Sequence, residues 1–115
     1  MSVSERTSGS VTILDCSGAI TLGDSADALK DKIRSLLQQD LKQILVNLAE
    51  VNYIDSAGLG ELVSAHTTTT RAGASMKLSN ATKRIQDLLV ITKLLTVFDI
   101  YDDEASALAS FGPAA

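Results

Sequence analysis

A chain of 115 residues holds one compact domain and leaves no room for two ordinary ones. Hydrophobic residues make up 45 % but aromatics only 3 %, so the core is aliphatic and the composition counts against a stacking platform for nucleic acid. Fourteen acids against ten Lys and Arg give a net charge of −4, which disfavours binding to a phosphate backbone.

The polar stretch Met1–Ser10 lacks the apolar segment of a signal peptide, and no later run is long enough to span a bilayer. Cys16 is the only cysteine, so no internal disulfide forms. These features describe a cytoplasmic protein with no direct nucleic-acid or membrane contact. Residues 1–9 and 112–115 read as loosely ordered tails.

Val11 to Cys16 alternate as a strand. Ser17-Gly18 breaks it, and Ala19 to Leu22 reads as a second, antiparallel strand completing an N-terminal hairpin. Asp24 or Ser25 caps a first helix whose stripe is Ala26, Leu29, Ile33, Leu36 and Leu37. The run Ile44 to Leu48 suits a central strand buried on both faces. A loop is expected from Ala49 to Asp55, then a helix from about Ala57 to Arg71 with Leu59, Leu62, Val63 and His66 inward and Gly73 as its stop. The run Thr67 to Thr70 is β-branched and softens the end of that helix. Ser75 to Leu78 is a short strand. Ser79 or Asn80 caps a third helix carrying Ile85, Leu88 and Leu89. Val97 to Tyr101 forms an edge strand, and Asp102 to Glu104 open a last helix anchored by Leu108 and Phe111. Strands alternating with helices define an α/β fold with a mixed, mostly parallel sheet of four to five strands, an N-terminal hairpin and about four helices.

The segment Asn52 to Leu62, NYIDSAGLGEL, lies where a strand end passes into a helix start, the usual place for sites in open α/β sheets. On spacing alone Ser56 is the helix N-cap and Asp55 a second capping acid. Gly58 and Gly60 fit that purely structural role poorly, since each costs about 1 kcal/mol in a helix relative to Ala. Leu59 also removes the capping box. A helix start poor in side chains would let another protein's backbone approach.

Asp55-Ser56-Ala57-Gly58-Leu59-Gly60 resembles the phosphorylation-site loop of bacterial anti-sigma factor antagonists, members of the STAS domain family. The resemblance covers nearly the whole chain as a single domain: Gly18, the strand at Ile44 to Leu48, Met76 to Leu78, and VFDIYDDEASAL from Val97 to Leu108 follow in the family's order. It implies a partner-switching regulator of transcription, not an enzyme and without a cofactor. The unmodified protein would bind an anti-sigma factor that is a serine kinase, freeing a sigma factor. Phosphorylation of Ser56 would dissolve the complex, and a PP2C-type phosphatase would restore it. Asp55 would flank the acceptor, Gly58 would keep the helix start open to the kinase, and Ala57, Leu59 and Gly60 would complete the partner surface. Many relatives place an acid behind the second strand. Asp24 is its counterpart here, or simply a helix cap. The alternative within the family is a non-switching scaffold subunit of a stress-sensing or transporter-associated complex.

Two rivals fail on the residues. A nucleophile elbow needs Gly-x-Ser-x-Gly, but residue 54 is Ile, and His66 lies ten residues, about 15 Å, along the same helix from Ser56. His66 reads instead as a half-buried packing residue. A response regulator with Asp55 as acceptor needs acidic Mg²⁺ ligands after the first strand, whereas Asp15 lies within it and Lys77 within another. One histidine and one cysteine make no metal site.

Overall fold

The computed structural model describes residues 2–21 and 24–111; the expected tail 112–115 lies outside them. Nine elements follow in order: β1 (Ser2–Ser8), β2 (Val11–Ile20), α1 (Asp24–Gln38), β3 (Gln43–Ile54), α2 (Ser56–Arg71), β4 (Ser75–Ser79), α3 (Lys83–Ile91), β5 (Asp99–Tyr101) and α4 (Glu104–Ser110). The expected α/β class is present, with a mixed sheet of five strands, the upper of the expected four to five, and four helices.

The hairpin is present too, but it is built differently. Ser2–Ser8, expected as a tail, is an edge strand paired antiparallel with β2 through an unbroken register from Ser2↔Ser17 to Ser8↔Val11. Its side chains are almost all polar and exposed, so the core pattern that marks other strands is missing from β1. Gly9, at φ +59°, takes the turn. Ser17-Gly18 does not end β2, and Ala19 and Ile20 pair parallel with β3 rather than antiparallel with the preceding strand.

The strands lie in chain order, β1-β2-β3-β4-β5, and every pair after the first is parallel. Right-handed crossovers that step always in the same direction must put their helices on one face. Accordingly α1, α2 and α3 cover one side, over a core that includes Leu14, Ile20, Leu29, Ile33, Leu36, Val46, Leu62, Leu78, Ile85 and Leu89. The last helix has no further strand to reach and folds over the opposite face, where Ala107 meets Val11, Ile13 and Leu45.

Polar contacts hold both ends of α4. At its start Arg6 of β1 bridges Asp15 of β2 and Glu104. Asp103 caps the helix by accepting from the Ser106 N–H at 2.7 Å, which holds its carboxyl below the ordinary range. At its end the Lys77 ammonium donates to the Ser110 carbonyl and hydroxyl at 3.1 and 2.9 Å and lies 4.7 Å from the Phe111 ring centroid.

Two other expectations change. The third helix is capped by Thr82, not Ser79 or Asn80. Ser79 is fully buried as the last residue of β4, and Asn80 sits at φ +60° with its N–H given to Tyr101, so neither is placed to cap. The threonine run does not soften α2. Thr67, Thr69 and Thr70 donate their hydroxyls back to the carbonyls of Val63, Ala65 and His66 and remain helical.

Candidate partner-binding site

The site is set up by the length of β3. Ile44 to Asn47 pair with both neighbours, and the pairing with β4 ends at Asn47↔Ser79. Beyond that point β3 continues to Ile54 along β2 alone. The segment expected as a loop, Ala49 to Asp55, is therefore mostly strand. Two bulges hide it. Opposite Asp15–Ser17, and again opposite Gly18–Ala19, β3 carries one extra residue. Each bulge breaks the period-2 alternation, so the positions buried under α1–α3 run 44, 46, 48, 51, 54. Asn47 pins the first bulge: its Nδ2 donates to Asp15 at 2.8 Å, and its Oδ1 accepts from the Ala49 N–H at 3.0 Å.

The strand delivers the chain to Asp55, whose N–H donates to the Ile20 carbonyl at the end of β2, 3.2 Å away. Asp55, not Ser56, is the N-cap of α2. Its backbone is extended, and Oδ1 accepts from the Gly58 N–H at 2.7 Å. A carboxylate here satisfies an orphan donor and meets the positive end of the helix dipole. Ser56 thus becomes the first helical residue, and its side chain is exposed. It is relieved of the capping role that spacing alone assigned to it.

Gly58 has a reason within the fold. A Cβ there would lie 2.1 Å from the Ile20 carbonyl oxygen and 2.7 Å from its carbon. The backbone that approaches Gly58 is the chain's own β2, so the fold itself requires a glycine there. Gly60 is the open one, with nothing within 4 Å of a Cβ. Leu59 and Leu62 turn inward, while Ala57 is half-buried beside the exposed Ser56.

Asp55, Ser56, Ala57, Leu59 and Gly60 therefore form one turn, with Ser56 and Gly60 outward. Asp24 opens α1, which follows β2 as α2 follows β3, and α1 packs on α2. The Asp24 side chain lies outside the described residues. His66 is half-buried with its ring edge-on to Phe98 at 5.4 Å, the packing role expected of it. Burial pushes the Cys16 thiol up to about 12, with Asp15 adding to the effect, which disfavours the thiolate. Among the described residues no cluster of His, Cys, Asp and Glu could hold a metal, and no helix is long and apolar enough to cross a membrane.

The sequence reading missed a groove beside this turn, between the end of β3 and α3, where Tyr53 and Ile54 face Lys83, Arg84, Leu88 and Ile91. The signal available was Ile91. It lies two residues beyond the inward Leu89 and thus on the far side of the helix.

Comparison with known proteins agrees with the geometry. The STAS domain model matches residues 2–107, and the chain belongs to the STAS domain family. Among curated proteins, the anti-sigma-B factor antagonist of Bacillus subtilis is 36 % identical over 76 residues, which is 66 % of this chain and 69 % of that protein. Among solved structures, a candidate anti-sigma factor antagonist of Thermotoga maritima superposes with a TM-score of 0.84 at 22 % identity, covering 93 % of this chain and 92 % of that one. The phosphorylated form of the Bacillus cell-fate determinant SpoIIAA gives 0.71 at 14 % identity, covering 94 % and 97 %. These two superpositions establish the shared fold.

Proposed function

We propose that this protein is an anti-sigma factor antagonist whose partner is an anti-sigma factor acting as a serine kinase, and that phosphorylation of Ser56 is the switch. In this reading the chain is a binding regulator rather than an enzyme, works in the cytoplasm, and is reset by a PP2C-type phosphatase. The observation that carries the reading is the placement of Ser56: an exposed hydroxyl on the first residue of α2, with Asp55 taking over the capping task. The Bacillus subtilis antagonist, 36 % identical over its matched length, supports the same role.

The switch acts by charge. A phosphoserine carries about −1.5 to −2 at neutral pH. On the first residue of α2 it gains about 0.3–1 kcal/mol from the helix dipole, and the Asp55 carboxylate opposes it. These terms nearly cancel, and Ser56 packs no core, so the domain keeps its shape. In a complex the dianion must be desolvated against the partner, and each ~1.4 kcal/mol of that cost is a tenfold loss of affinity. Asp24, the first residue of the neighbouring helix, is assigned to the same partner surface on the family resemblance.

Incubation with the cognate kinase and ATP tests the assignment. Mass spectrometry should locate one phosphate on Ser56, and Ser56→Ala should take up none. Undiminished labelling of Ser56→Ala would overturn it.

A further inference from the structure

Among the described residues the large apolar side chains left exposed are Tyr53, Val90, Ile91, Leu95 and Val97. Four belong to the second half of α3 and the turns after it, and the fifth faces α3 across the groove. Ile91 is 77 % exposed and Val90 56 %, on a helix of nine residues that already buries Ile85 and Leu89. Concentration of exposed apolar side chains in one region marks an interaction surface, whereas single scattered ones do not.

The groove has a volume of about 590 Å³, enough for one large side chain and part of its flanking backbone. Tyr53, Ile54, Leu88 and Ile91 make it apolar, and Lys83 and Arg84 stand on its α3 wall with one acid, Asp87. The Arg84 guanidinium reaches the Asn52 carbonyl at 3.5 Å, so it lies over the β3 wall. The groove thus carries a net positive charge on a chain of net charge −4. Ile54 precedes Ser56 by two residues, at most about 7 Å of chain.

We propose that this groove is a docking pocket for the partner protein, and that it takes one large apolar side chain carried on a segment with carboxylates on both sides. The apolar side chain fills the space between Tyr53 and Ile91, and the carboxylates pair with Lys83 and Arg84. The proposal rests on the reading that the partner meets the Ser56 end of the molecule, and it adds a reason for the switch. A carboxylate-bearing segment lying across this groove is brought beside Ser56, where a phosphate would repel it.

The test is a titration of the ¹⁵N-labelled full chain with three synthetic hexapeptides, followed by amide chemical shifts. One peptide carries Gly-Phe between glutamate pairs, one the same dipeptide between lysine pairs, and one Gly-Ser between glutamate pairs. Shifts at Tyr53, Ile54, Leu88 and Ile91 are expected with the first peptide alone. Ile91→Glu should weaken that response about tenfold, equivalent to ~1.4 kcal/mol. The double variant Lys83→Glu, Arg84→Glu should turn the preference toward the lysine-flanked peptide. These side chains are exposed, so the variants should keep the wild-type spectrum elsewhere. An equal response to acidic and basic peptides, shifts centred elsewhere, or an unchanged response of Ile91→Glu would overturn the proposal. Ser56→Ala should bind the acidic peptide like wild type, so failure of the phosphoacceptor assignment is read separately, from the kinase labelling.

Discussion

The two halves of β3 differ in their strand partners and in their exposure. From Ile44 to Asn47 the strand is flanked by β2 and β4, with Ile44, Leu45 and Val46 fully buried. From Leu48 to Ile54 it keeps only β2 as partner, bulges twice, and exposes Ala49, Glu50, Asn52 and Tyr53. The first half is central in the sheet. The second also buries Leu48, Val51 and Ile54 in the core, but it is an arm with one open edge that carries Asp55 and Ser56 beyond the end of β4. A site on such an arm is held in place by strand hydrogen bonds while its side chains stay available to a partner.

The sharpest way to break the comparison is to truncate one side chain in each half. Leu45→Ala should cost about 2–5 kcal/mol in a urea titration, the range for a fully buried leucine. Tyr53→Ala should stay within about 0.5 kcal/mol. Similar losses at both positions would mean that the open edge of the arm packs as tightly as the central half of the strand.

The two glycines of the first α2 turns extend the contrast. Gly58→Ala forces a methyl against the Ile20 carbonyl and should destabilise by about 1–3 kcal/mol. Gly60→Ala meets nothing and should stabilise by roughly 0.5–1 kcal/mol through helix propensity. Equal effects would show that β2 does not close on the helix start as described.

Asp55→Ala removes the N-cap and should cost about 1 kcal/mol, read again from the urea midpoint. A neutral result would return the cap to Ser56.

The smallest effect concerns the bulge at the junction of the halves. Hydrogen bonding to Arg6, and then to Asn47, holds the Asp15 carboxyl below its ordinary range, against the opposing effect of burial. A depressed carboxylate contributes stability that is full above the unfolded value, near 3.9, and is lost as pH falls through the folded one. Wild type should therefore lose more stability than Asp15→Asn as the pH falls below about 4. Parallel pH profiles would remove Asp15 from the account.

The comparison also explains what the sequence made legible. Leu45 and its neighbours form a continuous apolar run, the mark of a strand buried on both faces, and the helix stripes at Leu29–Ile33–Leu36 and Ile85–Leu89 repeat at 3.6 residues. The arm was illegible because its two extra residues break the alternation by which strands are recognised. β1 was illegible because its partner is backbone, not core. At the site the motif around Ser56 stood out, but the division of labour within it did not. Whether Asp55 or Ser56 caps depends on where the bulged strand stops, and the need for Gly58 comes from Ile20, thirty-eight residues earlier. The groove was hidden because Tyr53 and Ile91 meet only in the folded chain.

The central claim is that phosphate on Ser56 releases the partner by charge, without remodelling the domain. Its most direct test is calorimetric titration of the cognate kinase with the unphosphorylated and the Ser56-phosphorylated chain, beside amide exchange of α2 in both forms. The account predicts affinity at least about a hundredfold weaker after phosphorylation, or ~2.7 kcal/mol, with α2 protection unchanged. Equal affinities, or an α2 that loses its protection when Ser56 is phosphorylated, would contradict it.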